Sequence, residues 1–287
     1  MADWTNIPDS NLEPGKPARS VDALALRDNV KAMGIGATGA PLMVGNTVAV
    51  IERTSSGSVN LSPYKGAENG NDLFAIMKMW GAGGAGSVSG GSADRWGGGG
   101  GAYMEIICRL ADLPNSLSVE VGEGGEGEVT TDGEKGGDTY VTIGGEDYGA
   151  RGGYGGTDSS TVFAGRLAAG FVFKGDTILE GAGLPWNGGR GGEPNQSGKE
   201  SLFGGGGGAG AGSGSGNIDG GKSFFAGTGG QGTRDAETDQ EDRHGEFPGG
   251  GGGCHSSGTS LPAGSGADGF FVMYIVTAAA ESRKGMF

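Results

Sequence analysis

Short runs in which apolar and polar residues alternate are spread along the chain, separated by long stretches with almost no large side chains. In AYMEIICRL, 102–110, Met104, Ile106, Cys108 and Leu110 share one face, Glu105 and Arg109 take the other, and Tyr103 and Ile107 are apolar exceptions on that second side. Such period-two alternation predicts a half-buried strand. LSVEV, 117–121, is cleaner, with Leu117, Val119 and Val121 inward and Ser118 and Glu120 outward, and Asp112, Pro114 and Asn115 supply the turn before it. TVAVI at 47–51, DLFAIMKMW at 72–80, TYVTI at 139–143, FVF at 171–173 and FFVMYIVT at 270–277 read as further strands. The pattern predicts a mainly β protein, an antiparallel β-sandwich of about seven or eight strands.

One stretch breaks this pattern. ARSVDALALRDNVKAM, 18–33, lacks Gly and Pro and carries Val21, Leu24, Leu26, Val30 and Met33 roughly on one stripe, which predicts a short amphipathic helix. Ser20 caps it, Arg27 and Lys31 sit toward its C-terminal end, and Gly34 and Gly36 stop it. IPDSNLEPGKPA before it reads as an extended arm. Arm and helix have no core of their own, so they dock on another protein, on copies of themselves, or on the chain's own domain.

Composition changes the picture at this point. Glycine makes up 69 of the 287 residues, which excludes an ordinary helical enzyme because each glycine costs a helix about 1 kcal/mol relative to alanine. Collagen is excluded too, since the glycines come in blocks at 97–101, 204–208 and 249–253 with no G-X-Y period. Strands near both ends and glycine between them predict one sheet structure carrying a large insertion. Packed polyglycine-II-like helices are the ordered solution open to such runs, and flexible linker is the alternative. The chain thus divides into an arm and helix over 1–40, a β-sandwich over 41–149, a glycine-rich distal subdomain over 150–265, and a closing strand with a tail over 266–287.

Acidic residues number 34 against 20 basic, a formal net charge of −14, and no Lys/Arg stripe reverses it, so nucleic acid is not an expected partner. The start MADWTNIPD lacks the basic and apolar regions of a secretory signal, and no window approaches a membrane span. Cys108 and Cys254 are the only cysteines, too few for a disulfide scaffold; Cys108 reads as a buried free thiol.

WTNIPDSNLEPGKPARSVDALALRDNVKAMGIGATGAP resembles the attachment segment at the start of tail fibre proteins of tailed bacteriophages and related prophages. MKMWGAGGAG, GGGGGAYMEIICRLADLP, LSVEVGEGG, GGDTYVTIGG and GADGFFVMYIVT are similar to the glycine-rich domain of phage tail fibres and adhesins. The resemblance is weaker over about 150–265, where such adhesins place variable loops between polyglycine helices. It implies a virion component at the tail tip, a homo-trimer attached to other tail or baseplate proteins, with distal loops on a host cell-surface glycan or outer-membrane protein. Trp4, Ile7, Leu12, Leu24, Leu26 and Val30 are then the side chains for tail docking and oligomerisation. A structural tail subunit without receptor binding and a polysaccharide-depolymerising spike are the rival readings.

Glycine-rich sequence also produces motifs without their mechanism. Gly216–Ser223 spells G-x-x-x-x-G-K-S, but neither a strand before it nor a helix after it is predicted, so nothing would hold phosphate. Asp235, Glu237, Asp239, Glu241 and Glu246 match the spacing of a calcium loop, yet Gln240 stands where glycine is required. A solvated charged loop is the default, and the same holds for Glu123, Glu126, Glu128, Asp132, Glu134 and Asp138. His244 and His255 with two cysteines make neither a catalytic arrangement nor a zinc site, so no enzyme activity, cofactor or metal is expected. What remains is a set of large side chains stranded among glycines. Trp186 and Phe247, then Tyr154, Phe203 and Trp96, are the receptor-binding candidates, whereas Phe224 and Phe225 are expected to plug the small core of the glycine-rich region.

Overall fold

The computed structural model describes residues 47–65, 73–88, 95–128, 132–157, 172–174, 177–178, 188–211, 217–233, 240–255 and 261–277. The expected arm, the helix expected over 18–33 and the six residues expected to dock on the tail lie outside these, as does Trp186. The fold is mainly β, as the alternation predicts. The described strands are β1 (Thr47–Arg53), β2 (Gly57–Asn60), β3 (Leu73–Trp80), β4 (Tyr103–Arg109), β5 (Ser116–Glu120), β6 (Thr139–Ile143), β7 (Glu146–Ala150), β8 (Val172–Lys174), β9 (Thr177–Ile178) and β10 (Phe270–Thr277). Ten strands therefore replace the expected seven or eight. β2, β7 and β9 were missed because GSVN, EDYGA and TI carry no apolar alternation of their own.

All pairings between these described strands are antiparallel. One sheet has the order β1-β10-β3-β4 and the other β2-β5-β6-β7-β8-β9. β10 does not cap an edge of its sheet; it lies between β1 and β3, in register from Phe270↔Trp80 to Thr277↔Leu73. The inward faces build one core from Val59, Leu73, Met77, Leu117, Val141 and Met273, among others, with Met104, Ile106 and Cys108 packed against it. In β5 the alternation reads through without exception: Leu117 and Val119 are buried and Ser116, Ser118 and Glu120 exposed.

The glycine-rich segments form an ordered lattice with a period of three. Along 81–87, Gly81, Gly84 and Ser87 donate their N–H groups to Ala102, Gly99 and Trp96, Ala82 and Ala85 donate to Gly137 and Glu134, and Gly83 and Gly86 to Ala267 and Gly264, at 2.8–3.3 Å. Each third residue thus faces the same neighbour, and the partners step backward, so those neighbours run antiparallel. The segment 97–102 repeats the arrangement: Gly97 and Gly100 donate to Gly192 and Gly189, Gly98 and Gly101 to Gly252 and Gly249, and Gly99 and Ala102 to Tyr154 and Arg151. Three residues per turn with all hydrogen bonds sent to neighbours is polyglycine-II geometry. Segments from both sides of residue 150 contribute.

Glycine is required here for close approach. A Cβ built at Gly98 would fall closer than 3.0 Å to the carbonyl oxygens of Gly84 and Ala85, and one at Gly208 would meet the Gly252 carbonyl. Methyl groups fit at a few positions, such as Ala82, Ala85 and Ala209, all fully buried. Two carboxylates join lattice and sandwich: Asp138 accepts from the Gly152 N–H at 2.9 Å and Asp268 from the Gly124 N–H at 2.8 Å.

Candidate binding surface

Phe270, Trp80 and Tyr103 stand side by side across β10, β3 and β4, on the face of the four-stranded sheet turned away from the sandwich core. The lattice begins directly beyond them, at Gly81, Ala102 and Gly269, and the Trp80 indole Nε1–H donates to the Phe203 carbonyl at 2.8 Å. That bond anchors a loop carrying further rings. Centroid separations are 5.0 Å for Trp80–Tyr103, 5.4 Å for Tyr103–Phe203, 5.1 Å for Phe203–Phe225 and 6.0 Å for Phe224–Phe225. On the other side Trp80–Phe270 is 5.8 Å and Phe270–Phe247 5.3 Å. The row is anchored where it crosses the sheet and open at its ends: Tyr103 is 4% exposed, whereas Phe247 is 51%, Phe225 58% and Phe224 83% exposed.

Two related turns hold the open end. In Ser201-Leu202-Phe203-Gly204 the Ser201 hydroxyl accepts from the Gly204 N–H at 3.1 Å, and in Ser223-Phe224-Phe225-Ala226 the Ser223 hydroxyl accepts from the Ala226 N–H at 3.1 Å. Ser223 also donates to the Gly204 carbonyl at 2.7 Å, and the Phe225 N–H donates to the Leu202 carbonyl, so the turns are locked together. The third residues of the two turns, Phe203 and Phe225, stack on each other at an interplanar angle of 12°; the second residues, Leu202 and Phe224, point out. Beside Phe224 lies a shallow cleft of about 360 Å³ lined by Glu200, Ser201, Lys222 and Ser223.

These positions correct the expectation for Phe224 and Phe225, which do not plug a core. Where lattice segments approach within backbone contact there is no room beyond a methyl group, and Phe224 and Phe225 stand at its border; the large side chains buried among the glycine-rich segments are Arg95, Arg243 and His255. The doubled pattern Ser-apolar-Phe-small at 201–204 and 223–226 is the sequence signal that would have paired them.

Of the sequence candidates, Phe203 and Phe247 belong to the row. Tyr154 lies elsewhere, on the lattice, with the Lys135 ammonium 5.7 Å from its ring centroid. Trp96, half-buried, has its carbonyl bound by Ser87 at the far end of the 97–102 segment. The four described candidates therefore do not form one patch, and Trp186 lies outside the described residues.

The electrostatics of the row are neutral. The Tyr103 hydroxyl donates to Glu105 Oε2 at 2.7 Å, and burial followed by this carboxylate raises its pKa far above the ordinary phenol range, so it stays protonated. Lys78 Nζ sits 3.5 Å from the same Glu105 and 5.8 Å from the Tyr274 ring centroid, marking the lower border.

Elsewhere, potential chemistry is absorbed by structure. Cys254 is fully buried, its thiol pushed up to about 12 by burial, and His255 beside it is enclosed and held below the usual histidine range by burial and Arg243. His244 Nδ1 accepts from the Ser265 N–H at 3.0 Å. Gly220–Ser223 of the phosphate-loop pattern lead into the Phe224 turn, not a helix. Within the calcium-like run, Gln240–Arg243 is a 3-10 turn, and residues 234–239 lie outside the described part. Of the second acidic cluster, Glu123, Glu134 and Asp138 line an open groove of about 650 Å³ together with Glu120 and Lys135; among the described residues no three His, Cys, Asp or Glu side chains are grouped to hold a metal ion. No described helix is long and apolar enough to cross a membrane.

A sandwich carrying a polyglycine lattice, with a row of aromatic side chains at the lattice border, defines a glycine-rich β protein. The glycine-rich domain family model matches residues 63–275, most of the chain, and the chain belongs to that family. Comparison with curated proteins returns no match.

Proposed function

We propose that the chain is a phage tail-fibre adhesin that binds a host-surface receptor through the exposed end of the aromatic row. One observation carries this: Leu202, Phe224 and Phe225, at 42–83% exposure, are held on interlocked turns above a hydrogen-bonded lattice, with Phe247 exposed at the row's other end, so their contact area comes at little entropic cost. The similarity of the first forty residues to a tail-attachment segment supports a place at the tail tip, with Trp4, Ile7 and Leu12 toward the tail. Trimeric display then multiplies weak contacts by avidity. The outermost groups are Phe and Leu, with hydrogen-bonding groups on one flank only, which suits an apolar edge of an outer-membrane protein better than sugar hydroxyls.

Particles carrying Phe224→Ala with Phe225→Ala test this reading. Loss of a central aromatic anchor costs about 2 kcal/mol or more, roughly 30-fold in affinity, so adsorption to host cells should fall by at least that factor. Normal adsorption by stable variant particles would reject the row as the receptor site.

A further inference from the structure

Beyond a charged row of Glu52, Lys78 and Glu105, the same outer face of the four-stranded sheet becomes apolar again. The register sets Val50, Tyr274, Ile76 and Ile107 side by side across β1, β10, β3 and β4, with Phe74 in the next row. Ile107 is 61% exposed, Val50 50% and Val48 49%, and Phe74, Ile76 and Tyr274 are only partly buried. An antiparallel sheet with one face in water normally alternates apolar-in and polar-out. Here β10, FFVMYIVT, is apolar on both faces, so the outer face calls for a cover.

We propose that residues 18–33 of the same chain form that cover, packing the stripe that includes Leu24, Leu26 and Val30 across Val50 and Ile107. The segment enters the structure at the right place, because Thr47 begins β1, an edge strand of this sheet. As a helix it is about 24 Å long at ~1.5 Å per residue. The connection over 34–46 reaches roughly 43 Å at ~3.3 Å per residue. Four strands ~4.8 Å apart are only about 14 Å wide, so the helix can reach any part of the face. A connection this short also keeps the closure entropy low.

A second copy of the chain fits less well. The face measures about 14 by 27 Å, so two copies packed face to face would bury about 800 Å² in total, below the roughly 1,200 Å² of a stable interface. A single helix needs no more than this width, since helix diameter is about 10 Å. The proposal leaves residues 1–17 for the tail and moves Leu24, Leu26 and Val30 from tail docking to the chain's own sheet. It does not depend on which residues contact a receptor.

Hydrogen exchange on the full-length protein, read peptide by peptide, tests it. The amides of 18–33 should exchange at least 10-fold more slowly than those of 34–46, and equally so across a 50-fold dilution. Ile107→Asp and, separately, Val50→Asp should abolish that protection while β3 and β10 remain protected. Phe224→Asp, on the aromatic row, should leave it unchanged. Absent protection in the wild-type protein, protection lost on dilution, or protection that survives both aspartates would each overturn the proposal. Failure of host adsorption by the Phe224 variants alone would bear only on the receptor reading.

Discussion

Replacing Gly98 with alanine probes the lattice where three segments meet. Its N–H donates to Gly252 and its carbonyl accepts from Gly208, while neighbouring Gly84 donates to Gly99 and accepts from Gly252, all at 2.8–2.9 Å. The added Cβ would overlap the Gly84 and Ala85 carbonyl oxygens, so the 84 and 98 segments must separate by the order of 1 Å. Three or four bonds lengthen together. With a net worth near 1 kcal/mol each, and more where a buried group is left unsatisfied, the loss is about 3–5 kcal/mol. That is a large share of a typical stability of about 5–15 kcal/mol. Gly57 in β2 is the control, since a Cβ there meets nothing within 4 Å and alanine should be neutral or stabilising by about 0.5 kcal/mol. Guanidinium unfolding followed by tryptophan fluorescence, with the m-value checked for constancy, reads both. If Gly98→Ala unfolds within about 0.5 kcal/mol of the wild type, the segments are not in backbone contact and the lattice reasoning fails.

Trp80→Phe keeps the rings but removes the donor to the Phe203 carbonyl; stability should drop by about 1 kcal/mol and hydrogen exchange over 201–204 should rise. His255 is neutral in the fold because its pKa lies below the unfolded value, so the unfolded chain binds its proton first. Its contribution is intact above pH ~6.5 and erodes at up to about 1.4 kcal/mol per pH unit below that, until the folded pKa is reached; His255→Gln should flatten this part of a stability-versus-pH curve. With its thiol near 12, Cys254 has a thiolate fraction at pH 8 more than three orders of magnitude below a free cysteine's, so a thiol reagent should modify it only on unfolding. Rapid labelling of Cys254 in native protein would contradict its burial.

The sandwich was legible because its strands carry their own signal. TYVTI and FFVMYIVT were bounded to the residue, and the alternation in LSVEV assigned its faces correctly. EDYGA was not legible, since its place beside β6 is fixed by the Gly144-Gly145 turn at positive φ and not by apolar spacing. The lattice was legible in kind and not in path. Its period of three belongs to hydrogen-bond directions, and an unbroken glycine run looks the same at every phase. For the binding surface, isolation among glycines identified Phe203 and Phe247 as large side chains without local partners, but that cue alone did not separate inward from outward. Tertiary contact with Trp80 and Tyr103 decided that, and the same contact left Phe224 in water.

The central place of β10 has a consequence for how the molecule is made. β1 and β3 both pair with β10, so each lacks that partner until residues 270–277 arrive, and at roughly 5–20 residues per second the ribosome needs about 10–40 s to deliver residues 81–269 after β3. Throughout that interval two apolar strands present open edges, while the sequence emerging behind them is poor in large side chains and offers little with which to collapse wrongly. A translation product that stops short of Phe270 cannot complete the four-stranded sheet, so that sheet closes only in a chain that has been read through residues 270–277.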